Sequence, residues 1–187
     1  NIETPLWMKR RLIAVGHNAI SAMVDITNYV LVEMGQPMHA FDLSTLEGSS
    51  IVVRRAEDGE QLVTLDEKNR VLNHNNLLIC DKVKAVGLAG VMGGAKDSIL
   101  PETQDVILEI ANFESRGIRR TTQRYDVRTE ASSRYEKAVD PERCDLAFNM
   151  AMAMYKELYP EMKVTAHTEV YPTEIEKPVI DVSLNWL

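Results

Sequence analysis

The sequence of 187 residues predicts an α+β fold in which helices flank a cluster of short strands. Helix-like apolar periodicity occurs towards both ends, over residues 5–34 and again from 116 to 159. Short apolar and β-branched runs separated by turn residues occupy the middle. This order differs from the strand–helix alternation that builds a parallel sheet. Hydrophobic residues make up 45% of the chain, which is enough to bury a core.

Two helices are predicted at the start of the chain. The first covers about residues 5–15, because Thr4 offers an N-cap and proline occupies the first helical position. The second covers about residues 20–34 and stops at a glycine. Pro37 prevents its continuation, so residues 36–42 are predicted to form a turn.

The middle of the chain predicts strands, and the last third predicts helices again. The strands cover residues 51–55, 61–64, 77–80, 84–88 and 105–112. Ser115 can cap a helix over residues 116–125, and Thr129 can cap a shorter one. Pro141 can open a further helix that runs to about residue 159.

The C-terminal part predicts a domain boundary. Residues 162–171 are expected to form a closing strand, and residues 179–183 the first strand of a further unit. We therefore assign residues 1–171 to one domain, and residues 172–187 to a linker and the start of the next. The chain lacks an initiator methionine and stops abruptly, so we expect it to be an excised fragment.

Charge and cysteine content exclude some classes of protein. A formal net charge of −7 argues against coating nucleic acid through bulk electrostatics, although a local basic surface stays open. Cys80 and Cys144 fit neither a zinc pattern nor a disulfide framework, so we expect a reduced, cytoplasmic protein without a metal site. No apolar stretch approaches the length of a membrane span, and no membrane association is expected.

The glycine-rich segment 87–94 does not match a phosphate-binding motif. It lacks the Gly-Lys-Ser/Thr ending of a P-loop, and its glycines miss the dinucleotide-binding spacing. Two interpretations stay open. The glycines can permit tight turns with positive φ, which spacing alone favours, or Gly90 can form a side-chain-free wall that a ligand approaches closely.

Three polar residues near the predicted turn are candidates for chemistry. His39 follows Pro37, and the preceding helix carries Thr27 and Asn28 as neighbours. Such side chains can bind a water molecule or a ribose hydroxyl, or they can be satisfied internal polar groups.

Glu109 is a carboxylate in an apolar strand pattern, where it shares a face with Ile107 and Ala111. A carboxylate on a buried face is costly unless it has a partner or a function, and the alternative is a solvent-exposed face. No Ser-His-Asp order, metal-ligand pair or second carboxylate accompanies it.

A local row of arginines contrasts with the acidic chain. Arg116, Arg120, Arg124 and Arg128 recur every fourth residue, with Arg119 between them. Such a run is usually a solvated face, but its single sign and its guanidinium groups suit phosphate, so we take Arg116, Arg120 and Arg124 as candidate contacts to the phosphates of a nucleic acid.

Several long segments together resemble a known family. They are VDITNYV at 24–30, GQPMHAFD at 35–42, GLAGVMGG at 87–94, RTEASSRYE at 128–136 and VDP at 139–141. In this order they resemble the B3/B4 region of the bacterial-type phenylalanyl-tRNA synthetase β chain, over roughly residues 5–160. Asn18 departs from the pattern, because the family usually has arginine there.

The resemblance implies a three-layer α+β fold with an unusual β-sandwich core flanked by helices, also found in tRNA-lysidine synthetases. It implies an editing activity, the hydrolysis of mischarged Tyr-tRNA(Phe). The family's pocket would fall on Thr27, Asn28 and His39 as catalytic groups, and on Gly90, Glu109, Thr129 and Ala131 as substrate-binding groups.

The resemblance also implies partners. They are tRNA(Phe) and a synthetase α subunit, in an α2β2 ligase that uses ATP and magnesium for aminoacylation but needs no cofactor in this fragment. The alternatives are a non-catalytic tRNA-binding or architectural module of the synthetase and, more distantly, a free-standing editing protein.

Overall fold

The computed structural model describes residues 2–95, 99–172, 179–183 and 185–186. Its helices and antiparallel strands confirm the predicted α+β class. The helices are α1 (Leu6–Ala14), α2 (Ala22–Met34), α3 (Ser115–Tyr125), α4 (Glu130–Tyr135) and α5 (Arg143–Leu158). The strands are β1 (Met38–Asp42), β2 (Val52–Arg55), β3 (Gln61–Val63), β4 (Asn69–Val71), β5 (Leu77–Cys80), β6 (Ala85–Leu88), β7 (Met92–Gly93) and β8 (Val106–Ile110).

The strands form three antiparallel groups. A four-stranded sheet has the order β2-β5-β6-β7, and β3 and β4 form a hairpin. The hairpin joins the sheet through a bridge between Thr64 and Gly94 and a bond from the Leu65 N–H to the Gly93 carbonyl. Among the described residues, strands β1 and β8 pair only with each other, and we call this pair the β1–β8 ribbon.

The β1–β8 ribbon separates two hydrophobic cores. Met38, Leu108 and Ile110 pack against a helical core formed by α1, α2 and α5. Phe41 and Ile107 pack against a second core, formed by the sheet together with α3 and α4. Because side chains alternate along a strand, each ribbon strand contributes to both cores. The result is a layer of helices, the ribbon, and a layer of sheet with its own helices.

Residues 38–42 correct one sequence prediction, because they form strand β1 rather than a turn. Helix α2 ends as expected at Gly35, which adopts a φ of 72°. The fixed φ of Pro37 is compatible with an extended chain, and β8 supplies the pairing partner. Strand β4 was missed, since Asn69 and Arg70 have low strand propensity and depend on β3 for pairing.

Two further expectations were wrong in detail. Residues 162–171 and 179–183 form no strand in the described structure, and residues 173–178, part of the expected linker, lie outside it. The cap of α3 is Glu114 rather than Ser115, because its carboxylate accepts hydrogen bonds from the Arg116 and Gly117 N–H groups.

No helix in the described part of the chain combines the length and the apolar character that crossing a bilayer would require.

Candidate active site

His39 and Glu109 form one rung of the β1–β8 ribbon. The register places His39 directly opposite Glu109. Directly opposed residues of an antiparallel pair project from the same face, and Phe41 and Ile107 on that face pack against the sheet core. The chain therefore brings an imidazole and a carboxyl group together from positions 70 residues apart in sequence.

The Glu109 carboxyl lies on a face that packs against protein. Its strand neighbours Ile107 and Ala111 pack against the sheet core, which favours the buried-face interpretation over the solvent-exposed one. Among the described residues Glu109 makes no hydrogen bond or ion pair, and burial raises the pKa of its carboxyl to about 7. Glu109 is thus a partly buried carboxyl group whose hydrogen-bonding capacity is unused.

The His39 ring is packed between an aromatic ring and a glycine. Its centroid lies 4.4 Å from that of Phe41 in an edge-to-face arrangement. A Cβ atom on Gly93 would lie 2.9 Å from the His39 Cε1, so this ring position requires glycine there. Burial lowers the pKa of His39 to about 4, and the imidazole is therefore neutral at pH 7.

The pKa shifts of His39 and Glu109 have opposite effects on stability. The folded chain binds a proton at Glu109 more readily than the unfolded chain. The contribution of Glu109 to the free energy of unfolding therefore decreases as pH rises from about 4.5 to about 7. The lowered pKa of His39 costs stability as pH falls from 6.5 to about 4. Where the two windows overlap, the slopes oppose each other.

Substitution of Glu109 by glutamine should remove the contribution of Glu109 to the pH dependence of stability and leave that of His39. We expect the free energy of unfolding of the variant, relative to that of the wild type, to increase from pH 4.5 to pH 7.5 by up to about 3 kcal/mol. One pKa unit corresponds to about 1.4 kcal/mol. Urea unfolding of both chains at the two pH values measures the difference. A difference that is the same at both pH values would show that the Glu109 pKa is not raised by folding.

Two glycines of the glycine-rich turn have different surroundings. Gly90 has a φ of 67°, and a Cβ there would lie 2.7 Å from Ile118 Cδ1 and 2.8 Å from Phe113 Cδ2. A side chain at this position would point into the core, so there is no room for a ligand on that side of Gly90. Gly93, which sequence spacing did not distinguish, is the glycine that approaches His39.

Thr129 and Ala131 lie at the start of helix α4. Thr129 is the N-cap, as predicted, in a capping box with Ser132. Its hydroxyl also donates to the Val91 carbonyl at 2.8 Å, which ties α4 to the glycine turn. Ala131 is half-buried and packs against the sheet core. These two residues therefore lie on the same side of the ribbon as His39 and Glu109.

Within the part of the chain that the structure describes, Thr27 and Asn28 make no hydrogen bond with His39 or Glu109. Their helix packs on the opposite face of the ribbon, where Ile26 belongs to the helical core. Thr27 is 5% exposed, and its hydroxyl donates to the Val24 carbonyl at 2.7 Å. Asn28 is half-buried and makes no hydrogen bond with another described residue. Asn28 is therefore the freer of these two side chains.

The arginine row follows helix α3 only as far as Tyr125. Arg116, Arg120 and Arg124 are exposed, and none of them forms an ion pair within the described ranges. Arg128 does not continue the row, because Asp126 adopts a φ of 46° and ends the helix, and Arg128 pairs with Glu136 instead.

Two clefts lie away from the His39–Glu109 rung. One, of about 300 Å³, is lined by residues near the start of the chain, including Thr4 and Ser21. The other, of about 480 Å³, lies between β4 and α3, where Lys68 and Arg124 line it. Within the described part of the chain, no group of three or more His, Cys, Asp or Glu side chains is arranged to hold a metal ion.

Comparison with known proteins supports the resemblance. The family described as "B3/4 domain" matches residues 1–160. The chain is 41% identical, over 99% of its length, to the phenylalanine–tRNA ligase beta subunit of Clostridium acetobutylicum, of which it covers 23%. It is 51% identical, over 80% of its length, to that of Nitratidesulfovibrio vulgaris, of which it covers 19%.

The chain thus spans about a fifth of the length of these curated relatives. The match extends from the first helix to the end of α5, so it includes both ribbon strands, the glycine turn and the arginine row. On this coverage the chain belongs to the B3/4 domain family.

Proposed function

We propose that this chain is the editing module of a phenylalanine–tRNA ligase β subunit and hydrolyses the ester of tyrosine mischarged onto tRNA(Phe). The observation that carries the proposal is the His39–Glu109 rung, where an unpaired carboxyl and a neutral imidazole lie side by side. The resemblance to the B3/B4 region and the names of the relatives supply the substrate class.

The proposed role of Glu109 is to bind the tyrosyl hydroxyl. Phenylalanine and tyrosine differ by one hydroxyl group, which an apolar synthetic pocket excludes only weakly. A site whose buried polar group needs a hydrogen bond from the substrate hydroxyl can discriminate against the analogue without that hydroxyl by factors on the order of 10⁴–10⁵. With a pKa of about 7, the Glu109 carboxyl can accept a hydrogen bond from the phenol when ionised or donate one when protonated.

The proposed hydrolysis needs positioning more than strong catalytic groups, because an aminoacyl ester is already activated. The neutral His39 imidazole can accept a proton from water or hold the water in place, and a ribose hydroxyl of the substrate can assist. The resemblance also assigns Asn28 and Thr27 to the site. Because α2 packs on the other face of the ribbon, we propose that they orient the terminal ribose from the edge of the site, with Thr129 and Ala131 bordering the substrate.

A backbone amide is available for the developing negative charge. The N–H groups of Ala89 and Val91 donate to carbonyls of Leu77 and Leu88. The Gly90 N–H between them makes no hydrogen bond with the described residues, so it is the proposed oxyanion donor. ATP and magnesium, which the resemblance assigns to aminoacylation by the α subunit, take no part in this step.

A deacylation assay tests the proposal. The full-length ligase that contains this chain is given Tyr-tRNA(Phe) and Phe-tRNA(Phe) separately, and release of each amino acid is followed in single turnover. We expect faster hydrolysis of the tyrosyl ester, and loss of this hydrolysis when His39 is replaced by leucine. Equal rates for both esters, unchanged in the variant, would instead support the non-catalytic tRNA-binding or architectural module.

We also propose that the outer face of α3 binds tRNA. Ile118, Thr121 and Thr122 bury the inner face, and Ile118 contacts the glycine turn, so the outer face lies close to the site. Arg116, Arg120 and Arg124 project from the outer face and form no ion pair among the described residues, although the charges of Glu114 and Asp58 act on them. The cleft beside Arg124 adds Lys68, which lies 4.0 Å from Asp66. Unpaired guanidinium groups are suited to phosphate.

Replacing Arg120 and Arg124 together by glutamine should weaken tRNA binding by the ligase. Loss of two phosphate contacts is expected to reduce the slope of log K against log salt by about 2. The control is replacement of Arg128 and Arg134, which are already paired with Glu136 and Glu130. Equal effects of both double variants would show that the outer face of α3 is a solvent-exposed surface that does not contact tRNA specifically.

The remaining partners follow from the proposed parent enzyme. We propose that residues 1–171 form the editing domain, that residues 172–187 lead into the next module, and that the ligase pairs with an α subunit as α2β2 in the cytoplasm. The described structure is compatible with this boundary, since α5 ends at Leu158 and no helix or strand follows it in the described residues.

A further inference from the structure

Two buried side chains close one end of the β1–β8 ribbon. Gln36 is 0% exposed and Tyr135 is 2% exposed. The Gln36 Nε2 donates to the Ala111 carbonyl at 2.9 Å and to the Pro37 carbonyl at 3.1 Å. The Tyr135 hydroxyl lies 2.8 Å from the Ala111 carbonyl and 3.3 Å from the Pro37 carbonyl. We call these two side chains the Gln36–Tyr135 clamp.

The clamp lies where backbone pairing stops. The last ribbon pair is Met38 with Ile110, and Pro37 and Ala111 follow it on the two strands. Proline has no N–H group, so it cannot donate to the opposite strand. The Gln36 amide and the Tyr135 hydroxyl provide side-chain donors to these carbonyls, which a buried main-chain carbonyl needs.

The clamp is two residues from each member of the His39–Glu109 rung. Pro37 precedes His39 by two positions, and Ala111 follows Glu109 by two positions. A bond between the clamp and each carbonyl therefore restrains both strands close to the rung. Burial and, as a smaller cause, the charge of Glu109 raise the pKa of the Tyr135 hydroxyl.

Tyr135 also ties helix α4 and the glycine turn to the ribbon. Its ring packs edge-to-face on Phe113 at 5.0 Å, and lies 3.2 Å from where a Cβ on Gly90 would be. Ala131 is four residues before Tyr135 and so lies on the same face of α4. The position of Ala131 relative to Glu109 is thus set through the Tyr135 hydroxyl.

We propose that Tyr135, held by Gln36, is a positioning residue for discrimination between the tyrosyl and phenylalanyl esters. It fixes the width of the space between Ala131 and the Glu109 carboxyl, and so the distance from that carboxyl to the substrate ring. The proposal rests on the proposed function. Gln36 keeps its two carbonyl contacts although its Oε1 is buried without a partner in the described structure, so the carbonyl contacts decide its orientation.

The test is a Tyr135→Phe variant of the full-length ligase, which removes only the hydroxyl. The ratio of single-turnover deacylation rates for Tyr-tRNA(Phe) and Phe-tRNA(Phe) should fall by about two- to tenfold, the range that one neutral hydrogen bond supplies. The tRNA concentration that gives half-maximal rate should not change, because the tRNA contacts lie elsewhere.

Tyr155→Phe is the matched control. Tyr155 is 3% exposed and its hydroxyl donates to the Met23 carbonyl at 2.8 Å, but it belongs to the helical core. Both variants should lose similar thermal stability, and only Tyr135→Phe should lose discrimination. If Tyr135→Phe keeps the wild-type ratio, or if both variants lower it equally, the positioning role is overturned.

A double variant separates failure of this proposal from failure of the proposed function. If Tyr135 acts through Glu109, adding Tyr135→Phe to Glu109→Gln should not lower the ratio further. Independent, multiplicative effects would overturn the proposal while leaving the editing function intact. A Glu109→Gln variant with unchanged discrimination would overturn the proposed role of Glu109, whereas equal hydrolysis of the two esters by the wild-type ligase would overturn the proposed function itself.

Discussion

Replacing Glu109 with alanine should lower the preference of the ligase for hydrolysing Tyr-tRNA(Phe) over Phe-tRNA(Phe) by about 10- to 100-fold. A hydrogen bond to a charged group contributes about 1.5–3 kcal/mol, which corresponds to about 10- to 100-fold in relative rate. The loss should fall on the tyrosyl ester alone, since the phenylalanyl ring has no hydroxyl to lose a partner. Single-turnover deacylation of both esters measures it.

The fold should tolerate this change. Glu109 makes no hydrogen bond or ion pair among the described residues, so its removal leaves no partner unsatisfied. Its raised pKa also means that the ionised carboxyl costs stability above about pH 7. An unfolding midpoint at or above that of the wild type, together with unchanged discrimination, would contradict the assignment of Glu109 to the tyrosyl hydroxyl.

Glu57→Ala provides the comparison for a carboxylate outside the site. Glu57 is exposed in the turn between β2 and β3, where its backbone N–H donates to the Glu60 carboxylate and its carbonyl accepts from the Glu60 N–H. Its removal changes the net charge by at least as much as the removal of Glu109, whose carboxyl has a pKa of about 7. Loss of discrimination in both variants would indicate a general electrostatic effect on tRNA binding rather than a contact with the substrate.

The sequence predicted most helices and strands because their signals are local. Proline, glycine and capping residues mark the ends of α1, α2 and α4, and apolar runs mark the central strands. The His39–Glu109 rung could not be predicted in this way. Its partners are 70 residues apart, and the segment that carries His39 has a proline at its start that indicated a turn.

The glycine turn shows a second limit of sequence reasoning. The spacing of the glycines does not distinguish Gly90 from Gly93. In the structure, Gly90 faces Ile118 and Phe113 in the core, whereas Gly93 faces His39. The side of a turn that faces the core depends on tertiary packing, and no local pattern encodes it. The Gln36–Tyr135 clamp was missed for the same reason, since Gln36 appeared only as a polar residue beside a proline.

Substitution of Gly90 by alanine should destabilise the chain by about 2–5 kcal/mol. A left-handed conformation costs a non-glycine residue about 1–2 kcal/mol, and overpacking a core costs about 1–3 kcal/mol. Both apply at Gly90, where φ is 67° and the new Cβ would lie 2.7 Å from Ile118 Cδ1. Urea unfolding of the variant and wild-type chains measures the loss.

Gly59→Ala isolates the packing contribution. Gly59 has a φ of 90°, but nothing lies within 4 Å of an added Cβ, so only the conformational cost of about 1–2 kcal/mol applies. The excess loss in Gly90→Ala then reports how tightly Ile118, Phe113 and Tyr135 close around the turn. Equal losses in the two variants would mean that this core can yield, and that the Gly90 N–H is not held where the proposed oxyanion contact requires it.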